Sequence, residues 1–461
     1  MTVKCISPVN GEVYAEREYS DDCVVDQTFA TAHEVQAAWA ALPISRRAEY
    51  CTAAVDAMLA MADEIIPELS WQMGRPVRYG QGELNGFEER ARHMIAIAET
   101  SLAPLRPAEQ PGFDRYIQRD PLGVVFTIAP WNYPYLTAVN SIVPALMAGN
   151  TVVLKHAQST LLVAERFQQA FDKAGLPDGV FQHLMLSHSQ TARIISEKMV
   201  DMVCFTGSVP GGASIEKAAV GTFIPVGLEL GGKDPAYVRA DCDVNYAAEN
   251  LVDGAFFNSG QSCCGIERIY VDEKIFDTFV KRFVEIVNGY VLGDPLDEAT
   301  TLGPMIKADA ADFVRDQIDE AVKAGATAHI DVGNFAATKL GAAYMAPQVL
   351  SGVTHRMRVM TEESFGPVVG IMAVKGDEEA IALMNDSEFG LTASVWTRDE
   401  TAARAIGARV HTGTFFMNRC DYLDPALAWT GVNNSGRGCT LSSLGYEALT
   451  RPKSFNLRIT I

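Results

Sequence analysis

Positive charge is scarce in this sequence. Its 461 residues carry 38 Lys and Arg against 57 Asp and Glu, a formal net charge of −19, and such a balance repels phosphate backbones and anionic lipid surfaces. Neither nucleic acid nor a membrane is expected as a partner. Long apolar runs are missing too: no window offers the ~18 uninterrupted apolar residues that a spanning helix needs. The opening stretch MTVKCISPVNGEVYAEREYSDD shows neither a secretory core nor a transit pattern. Histidine is rare, at eight, and no CxxC or HExxH spacing accompanies it, so no metal site is expected. The nine cysteines are odd in number and scattered through a chain long enough to need no staples, which fits a reducing, cytoplasmic setting.

What the chain has in abundance is alternation. From about residue 122, short apolar runs take turns with amphipathic stretches: GVVFTIAP, NTVVLKHA, STLLVAERFQQAFDKAG, VFQHLML, SQTARIISEKMV, MVCFTGS. Near-continuous apolar strands separated by helical periods predict a parallel sheet covered on both faces, the doubly wound nucleotide-binding arrangement. A second series, from RIYVDE and IFDTFVKRFVEIV to LTASVWT, TAARAIGARV and TGTFFMN, predicts a second α/β unit. The first hundred residues read largely as helix and are expected to pack beside the first sheet. The glycines of GQGELNG, residues 80–86, follow no predicted strand and carry little weight.

Four short motifs stand out against this background. In FFNSGQSCCGIERIYV, residues 256–271, Cys263 and Cys264 are adjacent. They could be a structural pair, two metal ligands, or a nucleophile with a bystander. A disulfide between neighbours closes a strained ring, and no metal spacing is present, so the first two readings are weak. Small residues at Gly260 and Ser262 would let a substrate or cofactor approach the Cys263 sulfur. In APWNYP, two prolines fix the backbone around Trp131 and Asn132; the amide could donate to an oxyanion or cap the following helix. In GLELGGKDP, Glu229 sits in an apolar run, where desolvation raises a carboxyl toward general-base range; a salt-bridged strand end is the alternative. In FTGSVPGG, residues 205–212, a strand gives way to Gly207, Ser208 and Gly212, letting phosphate or nicotinamide approach a helix N-terminus. That spacing is not GxGxxG.

The order of APWNYP, VLKHAQST, FTGS, LELGGKDP, FNSGQSC, EESFGPV and NNSGRG resembles the aldehyde dehydrogenase superfamily, from about residue 120 to the C-terminus. The resemblance implies two Rossmann-like domains with a small β oligomerisation arm: residues 1–102 and 122–230 for cofactor, 231–440 for catalysis, 103–121 and 445–461 for the arm. It implies a homodimer or homotetramer acting on a small aldehyde with NAD or NADP. Matched position by position, Cys263 is the nucleophile, Glu229 the general base and Asn132 the oxyanion donor. Trp131, Lys155, Gln158, Gly207, Ser208, Gly212, Glu363 and Phe365 fall at cofactor positions. Tyr133, Thr137, Asn140, Phe257, Ser262, Cys264, Asp421 and Trp429 fall along the substrate tunnel, with Tyr422 and Leu423 beside them. The implied chemistry runs through a thiohemiacetal and a thioester to a carboxylic acid, and Glu229 argues for water as the acyl acceptor.

Two departures qualify the match. Lys155-His156-Ala157-Gln158 puts a neutral amide where many relatives hold the adenosine ribose with a carboxylate, so a 2′-phosphate is not repelled and NADP is admitted. ALAWTGVNNSGRG replaces the usual aromatic turn and moves that role to Trp429. Arg419 is the only cation found near the tunnel, and a surface or interface salt bridge is its plainer reading. A succinate-semialdehyde type of substrate therefore stands beside an uncharged aldehyde. A cysteine hydrolase would need a histidine base that no motif nominates, and a silent binding protein on the same scaffold is the remaining rival.

Overall fold

The computed structural model describes residues 2–460. Two parallel sheets organise it. The strand Val124–Ile128 is buried at every position, as expected of a strand covered on both faces. It lies at the centre of a six-stranded sheet, between Thr151–Lys155 on one side and Met202–Thr206 on the other. Phe181–His183 and Val226–Glu229 continue outward in parallel, and the short strand Gly436–Arg437 closes one edge antiparallel. Because the chain leaves the central strand in both directions, the strand order reverses there. Ligands of such sheets bind outside the carboxyl ends of the strands at that reversal, where APWNYP and FTGS emerge.

The second sheet has seven strands, with Ile266–Asp272 and Asp234–Val238 side by side and fully buried near its middle. It is parallel except for the two-residue strand Thr327–Ala328 at one edge. The predicted second α/β series lies in this sheet and its helices. A separate antiparallel ribbon pairs Phe113–Pro121 with Thr450–Arg458, Tyr116 stacking on Phe455 with centroids 4.6 Å apart.

Helices Asp22–Ala40, Ile44–Leu59, Ala62–Met73 and Gly80–Leu102 supply the helical N-terminal region. Sequence periodicity missed the antiparallel hairpin Thr2–Ile6 and Val13–Glu18 that precedes them. Its outer strand is largely exposed, so it shows no apolar alternation to read. Ile44–Leu59 and Gly80–Leu102 pack on Pro134–Ala148, which is apolar nearly all round and correspondingly buried. Trp39 donates to the Leu146 carbonyl and Arg47 to the Met147 carbonyl, both at 3.0 Å. Both carbonyls lie in the last turn of that helix, where backbone donors run out; Leu146 also accepts from the Gly149 amide at 3.0 Å.

Candidate active site

The helix Val244–Phe256 delivers the cysteine turn. After it, Asn258, Ser259 and Gly260 take φ values of 53°, 58° and 71° in succession, all left-handed. Such residues cost on the order of 1–3 kcal/mol each when they are not glycine and persist only where their surroundings hold them. The restraints are visible: Asn258 Nδ2 donates to the Asn132 and Gln261 carbonyls, and Ser259 Oγ to the Gly303 carbonyl at 2.8 Å. Gly260 is small for a reason other than ligand access, because a Cβ there would collide with the Gly366 carbonyl.

The turn separates the two cysteines. Cys263 is partly exposed and lines a groove of about 900 Å³. Cys264 is buried, and its thiol donates to Asp421 Oδ1 at 2.9 Å, as the Ser262 hydroxyl does at 3.0 Å. Contact with the Cys263 sulfur and burial hold the Cys264 thiol well above its usual range. It stays a thiol while its neighbour faces the groove.

Asn132 is 5% exposed and its Nδ2 donates to the Gln261 carbonyl at 3.2 Å. It does not cap the following helix. That task falls to Glu83, whose Oε1 accepts from the Tyr135 and Leu136 amides at 2.9 and 3.1 Å. Glu83 in turn pairs with Arg75, both side chains being almost wholly buried. Arg75 also donates to the Asn132 carbonyl at 2.5 Å and to Asn258 Oδ1 at 3.3 Å. One guanidinium thus fixes the amide loop and the cysteine turn together.

Glu229 ends the strand Val226–Glu229 without an ion pair among the described residues. Thr440 Oγ1 donates to one of its oxygens at 2.5 Å and Thr206 Oγ1 to the other at 3.0 Å. Burial raises its carboxyl and the two hydroxyls only partly offset that. It lines the groove with Cys263 and Asn132, and also a second cavity of about 200 Å³ on its far side.

The groove also takes in Trp131, Lys155, Gln158, Gly207, Ser208, Glu363 and Phe365. Ser208 is the N-cap of the helix Val209–Ala219, accepting from the Gly211 amide at 3.3 Å, and a helix N-terminus of this kind is chemically suited to receive an anion. Burial lowers the Lys155 ammonium. Glu363 accepts from the Gly232 amide at 3.0 Å, and burial followed by the charge of Glu267 pushes its carboxyl up to about 8. Phe365, at φ 50°, meets Trp131 edge-on with centroids 5.7 Å apart. Gln158 donates to the Lys4 carbonyl at 3.0 Å, tying this rim to the N-terminal hairpin. Gly212 is a correction: it does not line the groove. A Cβ there would strike the Leu230 side chain, so this glycine serves helix-to-strand packing, and Gly211 lines the groove instead.

The tunnel residues scatter more. Tyr133 lies under the Arg75 guanidinium, 4.6 Å from it to the ring centroid. Thr137 borders both cavities, while Asn140 and Trp429 border only the smaller one. Trp429 is buried and pairs with Thr440 in an isolated β-bridge. Phe257 packs on Tyr79 at 5.1 Å. Leu423 is partly buried against the first core, and the Tyr422 hydroxyl donates to Glu89 at 2.8 Å. Arg419 is exposed and stacks over Tyr422 at 3.5 Å, so it is not the tunnel cation. Sequence reasoning missed the buried cation that is present, Arg90, together with Arg75, Glu83, Thr206 and Thr440.

Comparisons with known proteins show the family and the fold. The family model described as aldehyde dehydrogenase family matches residues 1–455. A succinate-semialdehyde dehydrogenase (NADP+) of Mycobacterium avium is 34% identical over 457 residues, 98% of this chain and 96% of that protein. An aldehyde dehydrogenase of Paenarthrobacter nicotinovorans is also 34% identical over 457 residues, 98% of this chain and 99% of the relative. Among solved structures, a succinic semialdehyde dehydrogenase from Streptococcus pyogenes in complex with NADP+ superposes with a TM-score of 0.94 at 29% identity, covering 99% and 100% of the two chains. An NAD-dependent aldehyde dehydrogenase from Sinorhizobium meliloti superposes at 0.95 with 31% identity, covering 100% of this chain and 92% of that one.

Proposed function

The chain belongs to the aldehyde dehydrogenase family, an NAD(P)-dependent oxidoreductase that converts aldehydes to carboxylic acids through a cysteine, and on that premise we propose which of its residues do the work. Cys263 is the nucleophile: its thiolate adds to the carbonyl carbon and forms a thiohemiacetal oxyanion. Asn132 Nδ2, turning from the Gln261 carbonyl, and the Cys263 amide receive that oxygen. A dinucleotide held by Lys155, Glu363 and the Gly207–Ser208 turn would supply the hydride acceptor for the thiohemiacetal carbon. Glu229 then takes a proton from water, the hydroxide adds to the thioester carbon, the C–S bond breaks, and the carboxylic acid departs with the thiolate restored.

Lys155 and Glu363 hold ribose hydroxyls, and the turn Gly207–Ser208 with its helix N-terminus meets the phosphates. Trp131 and Phe365 flank the nicotinamide end, and Gln158 leaves room for NAD or NADP. The observation that carries this reading is the single groove in which Cys263, Asn132 and Glu229 meet these cofactor positions.

We assign residues 1–102 and 122–230 to cofactor binding, 231–440 to catalysis, and 103–121 with 445–461 to an oligomerisation arm. The ribbon of half-buried Phe113–Pro121 with largely exposed Thr450–Arg458 supports a homodimer or homotetramer. Nine unbridged cysteines support a cytoplasmic setting. The test is transient kinetics. Cys263→Ala should abolish aldehyde oxidation, and Glu229→Gln should retain a burst of reduced cofactor while steady turnover collapses. Undiminished turnover of Cys263→Ala would overturn the assignment.

A further inference from the structure

Two buried donors near Cys263 lack an acceptor, and a buried guanidinium beside them lacks a carboxylate partner. Arg90, on the helix Gly80–Leu102, is 6% exposed, and among the described residues no carboxylate lies within ion-pair distance of it. Both of its hydrogen bonds leave from Nη1, to the Leu136 carbonyl at 2.6 Å and to Asn140 Oδ1 at 3.4 Å. Asn140 is 2% exposed and its Nδ2 has no partner. The Tyr133 hydroxyl is likewise buried and unpaired. Leu136 and Asn140 are one turn apart on the same face of the helix Pro134–Ala148, and Tyr133 precedes its first residue.

None of the three donors lines the cofactor groove, yet Arg90 lies near enough to Glu83 and Glu229 for their charges to act on it, and its own charge acts on Asp421. Tyr133 directly follows Asn132 in the chain and lies near Asp421, which accepts from the two neighbours of Cys263, Ser262 and Cys264. A lone guanidinium in a protein interior is costly, and so is a buried donor without an acceptor; a ligand bearing acceptors removes both costs. Asp421 is the competing acceptor in this region. Both of its hydrogen bonds come from Ser262 and Cys264, not from Arg90, and burial pushes its carboxyl up to about 6.

We propose that Arg90, with Asn140 and Tyr133, receives the anionic end of the substrate, so that this enzyme prefers aldehydes carrying a carboxylate at the far end of a short chain. The inference rests on Cys263 as the nucleophile and on Asn132 as the oxyanion donor. At ~1.5 Å of rise per residue, Leu136 and Asn140 lie about 3 and 9 Å along the helix beyond Pro134, the span of a short chain measured from the Asn132 amide. A guanidinium suits a carboxylate because its N–H groups match both oxygens.

Initial-rate kinetics on the whole enzyme, comparing succinic semialdehyde with butanal of equal chain length, test this. Wild type should favour the semialdehyde by at least about 100-fold in kcat/KM, since a site built for a polar group rejects the analogue lacking it. Arg90→Gln should shrink that ratio by at least about 30-fold, chiefly through KM for the semialdehyde, and Arg90→Lys should restore part of it. Asn140→Asp, which sets a carboxylate against the guanidinium, should shrink the ratio too and serves if Arg90→Gln does not fold. A wild type that oxidises butanal with no preference for the semialdehyde overturns the proposal and leaves the Cys263 assignment standing. Arg90→Gln lowering both substrates alike, with the ratio unchanged, also overturns it. A wild type that oxidises neither overturns both.

Discussion

Thr440→Val removes one hydroxyl from Glu229 and leaves the other. The Thr440 hydrogen bond is the shorter of the two, 2.5 Å against 3.0 Å from Thr206, and it stabilises the carboxylate over the acid. A hydrogen bond to a charged group contributes about 1.5–3 kcal/mol. Losing it raises the Glu229 carboxyl further above a value that burial has already raised. The base acts as the carboxylate, so the acidic limb of kcat against pH moves to higher pH, and on that limb kcat falls about tenfold per unit. The burst of reduced cofactor precedes water attack and should keep its amplitude. Stopped-flow bursts and steady-state rates between about pH 5 and 9 separate the two steps, and Thr440→Ser, which keeps the hydroxyl, should restore the wild-type limb. A Thr440→Val limb that stays in place, or moves to lower pH, refutes the view that these hydroxyls set the base.

Glu83→Ala should cost about 3–5 kcal/mol in urea unfolding, because it strands the Arg75 guanidinium in the interior, and kcat should fall with it as the Asn132 loop loses its brace. Glu363, raised from 4.5 to about 8 by burial, is held neutral in the fold. Its contribution to stability is complete below 4.5 and is lost as pH rises through about 8; the melting temperature of the cofactor-free enzyme should fall across that window, and less so in Glu363→Gln. Gln158→Glu sets a carboxylate at the rim and should raise KM for NADP at least about tenfold while sparing NAD, read from initial rates with each dinucleotide.

The parts of the site that could be read from sequence are those announced by unusual neighbours. Asn132 stands between prolines, Glu229 interrupts an apolar run, and Cys263 follows a glycine turn that the backbone requires. The two sheets were legible for a similar reason, since fully buried strands such as Val124–Ile128 leave unbroken apolar runs. Arg90, Arg75 and Glu83 leave no such mark. Two of them sit on the amphipathic helix Gly80–Leu102, where a charged residue reads as solvated until packing shows which face is covered. GQGELNG was set aside for its glycines, yet it contains Glu83. Thr206 and Thr440 lie 23 and 211 residues from Glu229, and only the edge pairing of Gly436–Arg437 brings Thr440 close. Gly212 misled because a glycine at a strand-to-helix turn suits close packing as well as close binding.

Arg75 grips the Asn132 loop, which hangs from the first sheet, and Asn258, 183 residues further along in the turn that feeds the second. Anyone splicing one half of this enzyme onto the other half of a relative must therefore carry positions 75, 83 and 258 across as a linked set. A crossover that parts them would assemble two sound halves whose amide and sulfur no longer share a common anchor.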